Sequence, residues 1–232
     1  MNGYLAGRDS LERSSDDGVR LADTSRVEAF SDGVLAIVIT LLVLDLRLPE
    51  VPPGRLLEGL ASQWPSYLAY FTSFHYVGVV WLNHHATFRR INWIDAPLHW
   101  ANLGILFTAA LLPFPTAVLS HALVGESLAD ARTAVGLYAL VGMLLYVSWF
   151  VLFHYLARRP HLSDENVNAD FFRGERTRVA IGVVLYPAAG VLGVVVLPIL
   201  GLVIFLLLSI FFGLTTQGLN ERPHLHRHSS GQ

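Results

Sequence analysis

The fold is decided by a stretch of 42 residues that carries no charged side chain. Residues 179–220 read VAIGVVLYPAAGVLGVVVLPILGLVIFLLLSIFFGLTTQGLN. As one helix this stretch would be about 63 Å long at ~1.5 Å per residue, the thickness of two bilayer cores of ~30 Å. We therefore predict a helical hairpin that crosses a membrane twice. Its turn should lie near Gly193 and Pro198, with Pro187 kinking the first arm.

Four more segments complete the predicted membrane domain. Residues 59–88, 96–125 and 133–157 each lack charged side chains and are each long enough for one span. Residues 29–48 form another span if Asp32 and Asp45 face protein or water instead of lipid. The prediction is an all-α membrane protein with six transmembrane helices per subunit.

Composition supports this class and excludes several others. The 232 residues are 53% hydrophobic and 15% charged, with a net charge of −2, whereas a soluble domain carries about 25% charged residues. The low net charge argues against a nucleic-acid partner. The absence of cysteine excludes disulfides and thiolate metal sites. No G-x-S-x-G or H-E-x-x-H motif supports hydrolase chemistry, so no enzyme activity is predicted.

The arginines set the predicted orientation. With six spans, thirteen arginines fall on the side of the termini and three, Arg47, Arg55 and Arg132, fall on the other. Such a bias places both termini in the cytoplasm. Residues 1–25 lack the apolar core of a signal peptide and are predicted to be a cytoplasmic polar segment. Residues 26–220 are the six-helix domain, and residues 221–232 are a cytoplasmic polar tail.

The first helix carries an apolar seam. On an ideal helix, six residues spaced four, three, four, three and four apart lie within about 40° of one line: Phe30, Val34, Ile37, Leu41, Leu44 and Leu48. This spacing is typical of knobs-into-holes packing between copies of a helix. Two interpretations are open. One is ordinary helix packing, and the other is a pore lining whose hydrophobic rings gate ions by dewetting.

Asp32 lies about 160° from the seam, one turn inside the cytoplasmic end of the helix. A carboxylate at that depth is costly unless it is paired, so Asp32 should bind neighbouring helices of its own subunit. Its candidate partners are Arg26, Asn83, His84, His85 and His99. We favour a structural clamp over a proton relay. His84 and His85 point about 100° apart, so no single metal site is predicted for both.

The start of this helix also carries a motif. Residues 26–32 read R-V-E-A-F-S-D, which gives R-x-x-x-F-S-D, and GVLAIVITLLVL follows. This segment resembles the signature of the transmembrane protein 175 potassium-channel family. The resemblance is close over the first helix and looser over residues 81–90.

The resemblance implies much that spacing does not show. Members of that family are cation channels without the T-V-G-Y-G filter, and this chain has no such sequence. One copy of the motif matches the bacterial form, a homotetramer in the plasma membrane whose first helices surround a central pore. The implied site residues are the constriction at Ile37, Leu41 and Leu44, the selectivity residue Thr40, and the anchoring residues Arg26, Phe30, Ser31 and Asp32.

The expected function is passive, potassium-preferring conduction, with Asp45 and Glu50 concentrating cations at the outer mouth. The partners are other copies of the chain, the bilayer, potassium, and other monovalent cations or protons, and no cofactor is expected. Two alternatives stay open. A proton-coupled transporter would use Glu28, Asp32 and His75 as relays, and a membrane redox protein would bind haem or metal through histidines: His84, His85, His99 and His154.

Overall fold

A computed structural model of the chain describes residues 24–164, 167 and 169–215. Within these ranges the fold is all-helical, and the isolated bridge between Ile91 and Ser163 is the one extended pairing. The helices are α1 (Thr24–Asp45), α2 (Leu56–Ser62), α3 (Trp64–Phe88), α4 (Ala96–Ala110), α5 (Pro113–Val124), α6 (Leu128–Ala157), α7 (Ala169–Val195) and α8 (Pro198–Leu214). The predicted tail at 221–232, and all but two residues of the predicted segment 1–25, lie outside the described residues.

Four helical segments are long and apolar enough to cross a membrane: Thr24–Asp45, Ala96–Val124, Leu128–Ala157 and Asp170–Val195. Two further predicted spans correspond to α3 and α8. Helix α3 has 25 residues, but its histidines and hydroxyl groups lower its hydropathy, and α8 is apolar but has only 17 residues. A length of 17 residues is at the lower limit for a span. The count of six spans therefore stays a prediction.

Two of the charge-free stretches that were predicted as single helices are each divided into two helices. Residues 59–88 are divided between α2 and α3 around Gln63, and residues 96–125 between α4 and α5 just before Pro113. Proline has no N–H for the helical ladder, so it favours a break or a new first turn. In the predicted hairpin, α7 and α8 are joined at residues 196–197, and Pro187 lies inside α7.

Helices α6 and α7 pack closely because each offers a glycine to a tyrosine of the other. A Cβ added at Gly142 would lie 2.2 Å from the Tyr186 ring, and one at Gly182 would lie 2.4 Å from the Tyr146 ring. Both pairs have the spacing Gly-x-x-x-Tyr, so the two antiparallel helices interlock one turn apart. Small residues give this kind of close contact in membranes, where dispersion contacts replace the hydrophobic effect.

The glycine–tyrosine contacts predict a sharp steric penalty. Gly142→Ala must displace the buried Tyr186 ring and should destabilise the fold by about 1–3 kcal/mol. Gly136→Ala on the same helix is the matched control, because its Cβ would meet Val194 at an ordinary 3.7 Å. Thermal unfolding of both purified variants checks this. Equal unfolding midpoints would show that Tyr186 moves aside at no cost.

Candidate pore helix and its anchoring network

Helix α1 has one face that packs against the rest of the chain. Ser31, Leu35, Val38 and Leu42 are at most 2% exposed. Their spacing of four, three and four places them on a single stripe. Leu35, Val38 and Leu42 belong to the main hydrophobic core of the subunit. Together with the polar contacts of Ser31 and Asp32 described below, this stripe sets the rotation of α1 about its axis and therefore which residues face elsewhere.

The predicted seam lies on a different face of α1, about 110° around the helix from the buried stripe, and is open. Ile37 is 60% exposed and Leu44 is 71% exposed, Phe30 and Leu41 are also exposed, and Val34 is half-buried. Leu48 was predicted to continue the seam, but it lies beyond the end of the helix at Asp45 and is not part of it. Only 22% of the most apolar window of this helix is buried, against 50% for Ala96–Val124 and for Leu128–Ala157. The chain therefore leaves an apolar face of its first helix without intramolecular packing.

Thr40 lies beside this open face, and Asp45 and Glu50 lie at and beyond the end of α1. The Thr40 hydroxyl is exposed and donates to the carbonyl oxygen of Ile37 at 2.9 Å. Its oxygen lone pairs remain available to a second donor or to a cation. Asp45 is half-buried where α1 ends, and Glu50 is exposed in the following loop.

A buried chain of hydrogen bonds holds the N-terminal half of α1 to α3 and α4. The Asn102 amide nitrogen donates to the Ser31 hydroxyl at 3.0 Å, and the Asn102 carbonyl oxygen lies 2.8 Å from the His84 Nε2. Ser31 in turn donates to the Val27 carbonyl at 2.8 Å. Ser31, His84 and Asn102 are at most 2% exposed. Every link has one donor and one acceptor when His84 carries its proton on Nε2.

Two more contacts join α1 to α3 beside this chain. The Trp81 indole nitrogen donates to the Asp32 carboxylate at 3.0 Å, and the His85 Nδ1 lies 2.7 Å from the Glu28 carboxylate. Trp81 and His85 stack on each other with ring centroids 6.1 Å apart. Glu28 and Asp32 are one turn apart on α1, as are Trp81 and His85 on α3, so antiparallel helices bring both pairs into register.

The predicted site residues thus fall into distinct places. Asp32 contacts Trp81, which was not among its predicted partners, and His85 contacts Glu28. Asn83 accepts from the Arg178 guanidinium at 2.9 Å, and the His99 ring lies 3.1 Å from the carbonyl oxygen of Asp95. Arg26 and Phe30 are exposed on the subunit.

Trp81 and Asn102 are the residues that the sequence analysis missed. The spacing of Trp81 and His85 on α3, which equals that of Glu28 and Asp32 on α1, was an available signal for Trp81. Asn102 is an amide at mid-helix in an otherwise apolar stretch, and that pattern alone is typical of a buried hydrogen-bonding residue.

Helix α4, which carries Asn102, is fixed at its first residue by Asp95. One Asp95 carboxylate oxygen accepts from the Leu98 amide at 3.0 Å and caps the helix. The other accepts from the Tyr155 hydroxyl of α6, and Arg159 lies 3.9 Å away. Burial alone would raise the pKa of Asp95, but these hydrogen bonds and the Arg159 charge hold the pKa below its ordinary value.

Among the residues with described positions, no group of three or more histidine and acidic side chains is placed to hold a metal ion. His84 is instead enclosed by aromatic rings, stacked on Phe88 with centroids 4.2 Å apart and edge-on to Trp149. The observed polar network is therefore a helix-to-helix attachment.

Fold and site together define an all-helical membrane protein whose first helix is anchored through a polar face and open along an apolar one. A family model described as "Endosomal/lysosomal potassium channel TMEM175" matches residues 26–113. A Streptomyces collinus protein named as a potassium channel is 40% identical over 192 residues, 82% of this chain and 92% of that protein. The chain belongs to the TMEM175 family.

Two further relatives extend this result. The crystal structure of a Chamaesiphon minutus protein, described as a homologue of the lysosomal potassium-selective channel TMEM175, superposes with a TM-score of 0.74 at 33% identity, over 84% of this chain and 99% of that one. The human protein named endosomal/lysosomal proton channel TMEM175 is 47% identical over 75 residues, 28% of this chain and 15% of that protein. These relatives are channels and not enzymes, which confirms the prediction that this chain is not an enzyme.

The hydrogen-bond chain makes a prediction about coupling. Ser31→Ala and Asn102→Ala should each destabilise the protein by about 1–3 kcal/mol, since each leaves a buried polar group unpaired. The double variant should lose less free energy of unfolding than the sum of the two single losses, with a coupling of about 1 kcal/mol. Chemical unfolding of the three variants measures it. Strict additivity would mean that the two side chains do not interact.

The Asp95 contacts predict a pH dependence with a defined sign. The folded-state pKa of Asp95 is below its ordinary value. The contribution of Asp95 to folding stability is therefore present above the unfolded pKa of about 3.9 and is lost as pH falls through the folded pKa. Asp95→Asn keeps a helix-capping oxygen but removes the charge. The wild type should unfold at a higher temperature than this variant at pH 7, and the difference should shrink towards pH 3. A constant difference would contradict this account.

Proposed function

We propose that the chain is a passive, potassium-preferring cation channel, in which the first helices of four identical subunits surround a central pore. The observation that carries the proposal is the pair of faces on α1. The polar and core-facing side is attached to α3 and α4, while the seam through Ile37, Leu41 and Leu44 is exposed on the isolated subunit. An apolar face of this size in a membrane helix is available to other copies. The potassium-channel names of the Streptomyces and Chamaesiphon relatives favour the same function.

The proposed constriction is a stack of aliphatic rings. Four copies each of Ile37, Leu41 and Leu44 would narrow the path and exclude water when the pore is at its tightest, which is hydrophobic gating. Branched aliphatic side chains offer no oxygen ligands. Selectivity must then come from pore width, partial dehydration, and nearby oxygens such as the exposed Thr40 hydroxyl. Modest potassium selectivity is the expected result.

The anchoring network has a defined part in this proposal. Ser31 and Asp32 fix the rotation of α1 through Asn102 and Trp81, so that the seam points away from its own subunit. Arg26 and Phe30 are exposed on the subunit, where a neighbouring copy could contact them. A rotation of α1 by one residue position, about 100°, would replace the aliphatic rings with other side chains.

The membrane arrangement follows from the same proposal. Helices α3 and α8 join the four candidate spans to give six, and both termini are cytoplasmic because thirteen of sixteen arginines lie on that side. Asp45 and Glu50 then lie near the outer mouth, where carboxylates raise the local cation concentration. The membrane is the bacterial plasma membrane, with potassium as the permeant ion and no cofactor.

Proton permeation is a second candidate function for the same pore. It is favoured by the human relative, a protein named as a proton channel that matches this chain over 75 residues. A pH-sensitive dye trapped in proteoliposomes that hold the purified protein would detect it. Proton flux that persists without a potassium gradient, and needs no solute, would separate a channel from a proton-coupled transporter.

Ile37→Asn tests the constriction. A polar ring should hold water at the narrowest point and raise potassium flux into proteoliposomes above that of the wild type. Val184→Asn is the matched control, because Val184 is an aliphatic residue of α7 with a similar exposure of 66%. Unchanged flux and selectivity in Ile37→Asn, from a well-folded protein, would remove Ile37 from the pore.

A further inference from the structure

An open groove of about 600 Å³ lies where α5 ends and α6 begins. Its walls come from the last two turns of α5, the connecting turn and the first two turns of α6, and Arg47 closes one side from the segment after α1. The volume is in the range of ligand-binding clefts, about 300–1,000 Å³. It is far from the anchoring network, at the opposite end of α1.

The floor of the groove is made of small apolar side chains. Ala117, Val118 and Ala122 of α5 face Ala134 of α6, and this lack of bulk is what leaves the space open. The floor extends about 12 Å from the connecting turn at ~1.5 Å per residue. Because Ala96–Val124 and Leu128–Ala157 are both candidate spans, the groove starts at a membrane–water boundary and continues into the apolar layer.

The rim of the groove carries charges of both signs. Arg47 supplies a guanidinium, Glu126 and Asp130 supply carboxylates, and His121 lies on the α5 wall. All four side chains belong to exposed residues. Asp130 has its backbone N–H capped by Ser127, which places its side chain in the first turn of α6. The rim thus offers one anion-binding group and two cation-binding groups above an apolar floor.

We propose that this groove binds the headgroup and upper acyl chain of phosphatidylethanolamine. Arg47 would bind the phosphate, since a guanidinium fork matches phosphate oxygens. Glu126 and Asp130 would accept hydrogen bonds from the primary ammonium. Phosphatidylcholine has no N–H to donate, and phosphatidylglycerol has no cation to meet the two carboxylates. The acyl chain lies along the alanine floor.

Native mass spectrometry of the purified full-length protein, with equal amounts of the three lipids added, tests this assignment. Phosphatidylethanolamine should be retained over each of the other two by about three- to fivefold, the size expected for partly exposed charge pairs. The double variant Glu126→Gln with Asp130→Asn should lose this preference, and Arg47→Gln should weaken binding of all three lipids. Arg55→Gln with Glu58→Gln is the control, because those two residues pair with each other outside the groove.

A steric variant keeps the proposal testable if the charge changes disturb the protein. Ala122→Leu fills the floor of the groove and should reduce phosphatidylethanolamine retention without altering the rim charges. Equal retention of the three lipids by the wild type, a preference for phosphatidylglycerol, or a preference that survives both the double variant and Ala122→Leu would each overturn the proposal. None of these results depends on ion conduction.

Discussion

The arrangement of the helices depends on the attachment of the first helix through a polar face. A serine, an amide and a histidine, all buried, pass hydrogen bonds from α3 through α4 to α1, and Asp32 and Glu28 add contacts to Trp81 and His85. In an apolar environment, unpaired groups of this kind are costly, so the chain favours a single rotation of α1. That rotation leaves the aliphatic seam exposed. The polar network, with the buried Leu35, Val38 and Leu42, therefore leaves an apolar face of α1 exposed.

The rest of the bundle supports the helices to which α1 is attached. Helix α6 packs against α4, α5 and α7, and the interlocked glycine–tyrosine pairs fix its contact with α7. Asp95 caps α4 and joins it to α6 through Tyr155. These two contacts set the position of Asn102 along the axis of the bundle. The loops at that end are also connected, since the Asn92 and Trp93 amides donate to the Leu162 carbonyl. Substitutions in α6 or at Asp95 can thus alter the position of the first helix although they do not contact it.

Simple sequence features predict much of this architecture. The helical hairpin of α7 and α8 follows from the length of a stretch without charge, and its turn at residues 196–197 forms where Gly193 and Pro198 predict it. The placement of Asp32 away from the seam follows from 100° per residue. The partner of Asp32 does not follow, because periodicity gives the face of a residue but not the rotation of the neighbouring helix. The division of residues 59–88 at Gln63 was missed because the length of a charge-free stretch does not reveal a break, whereas Pro65 in the first turn of α3 was an available signal.

The central claim is that the exposed seam of α1 lines the permeation path. The chain contains no cysteine, so Ile37→Cys introduces a single thiol per subunit. A ring of such thiols around a narrow pore should bind Cd²⁺ and block potassium flux into proteoliposomes, because thiolates are strong ligands for soft metal ions. Val184→Cys should conduct unchanged. Block in the Ile37 variant alone supports the account, and undiminished flux through it in the presence of Cd²⁺ would contradict it.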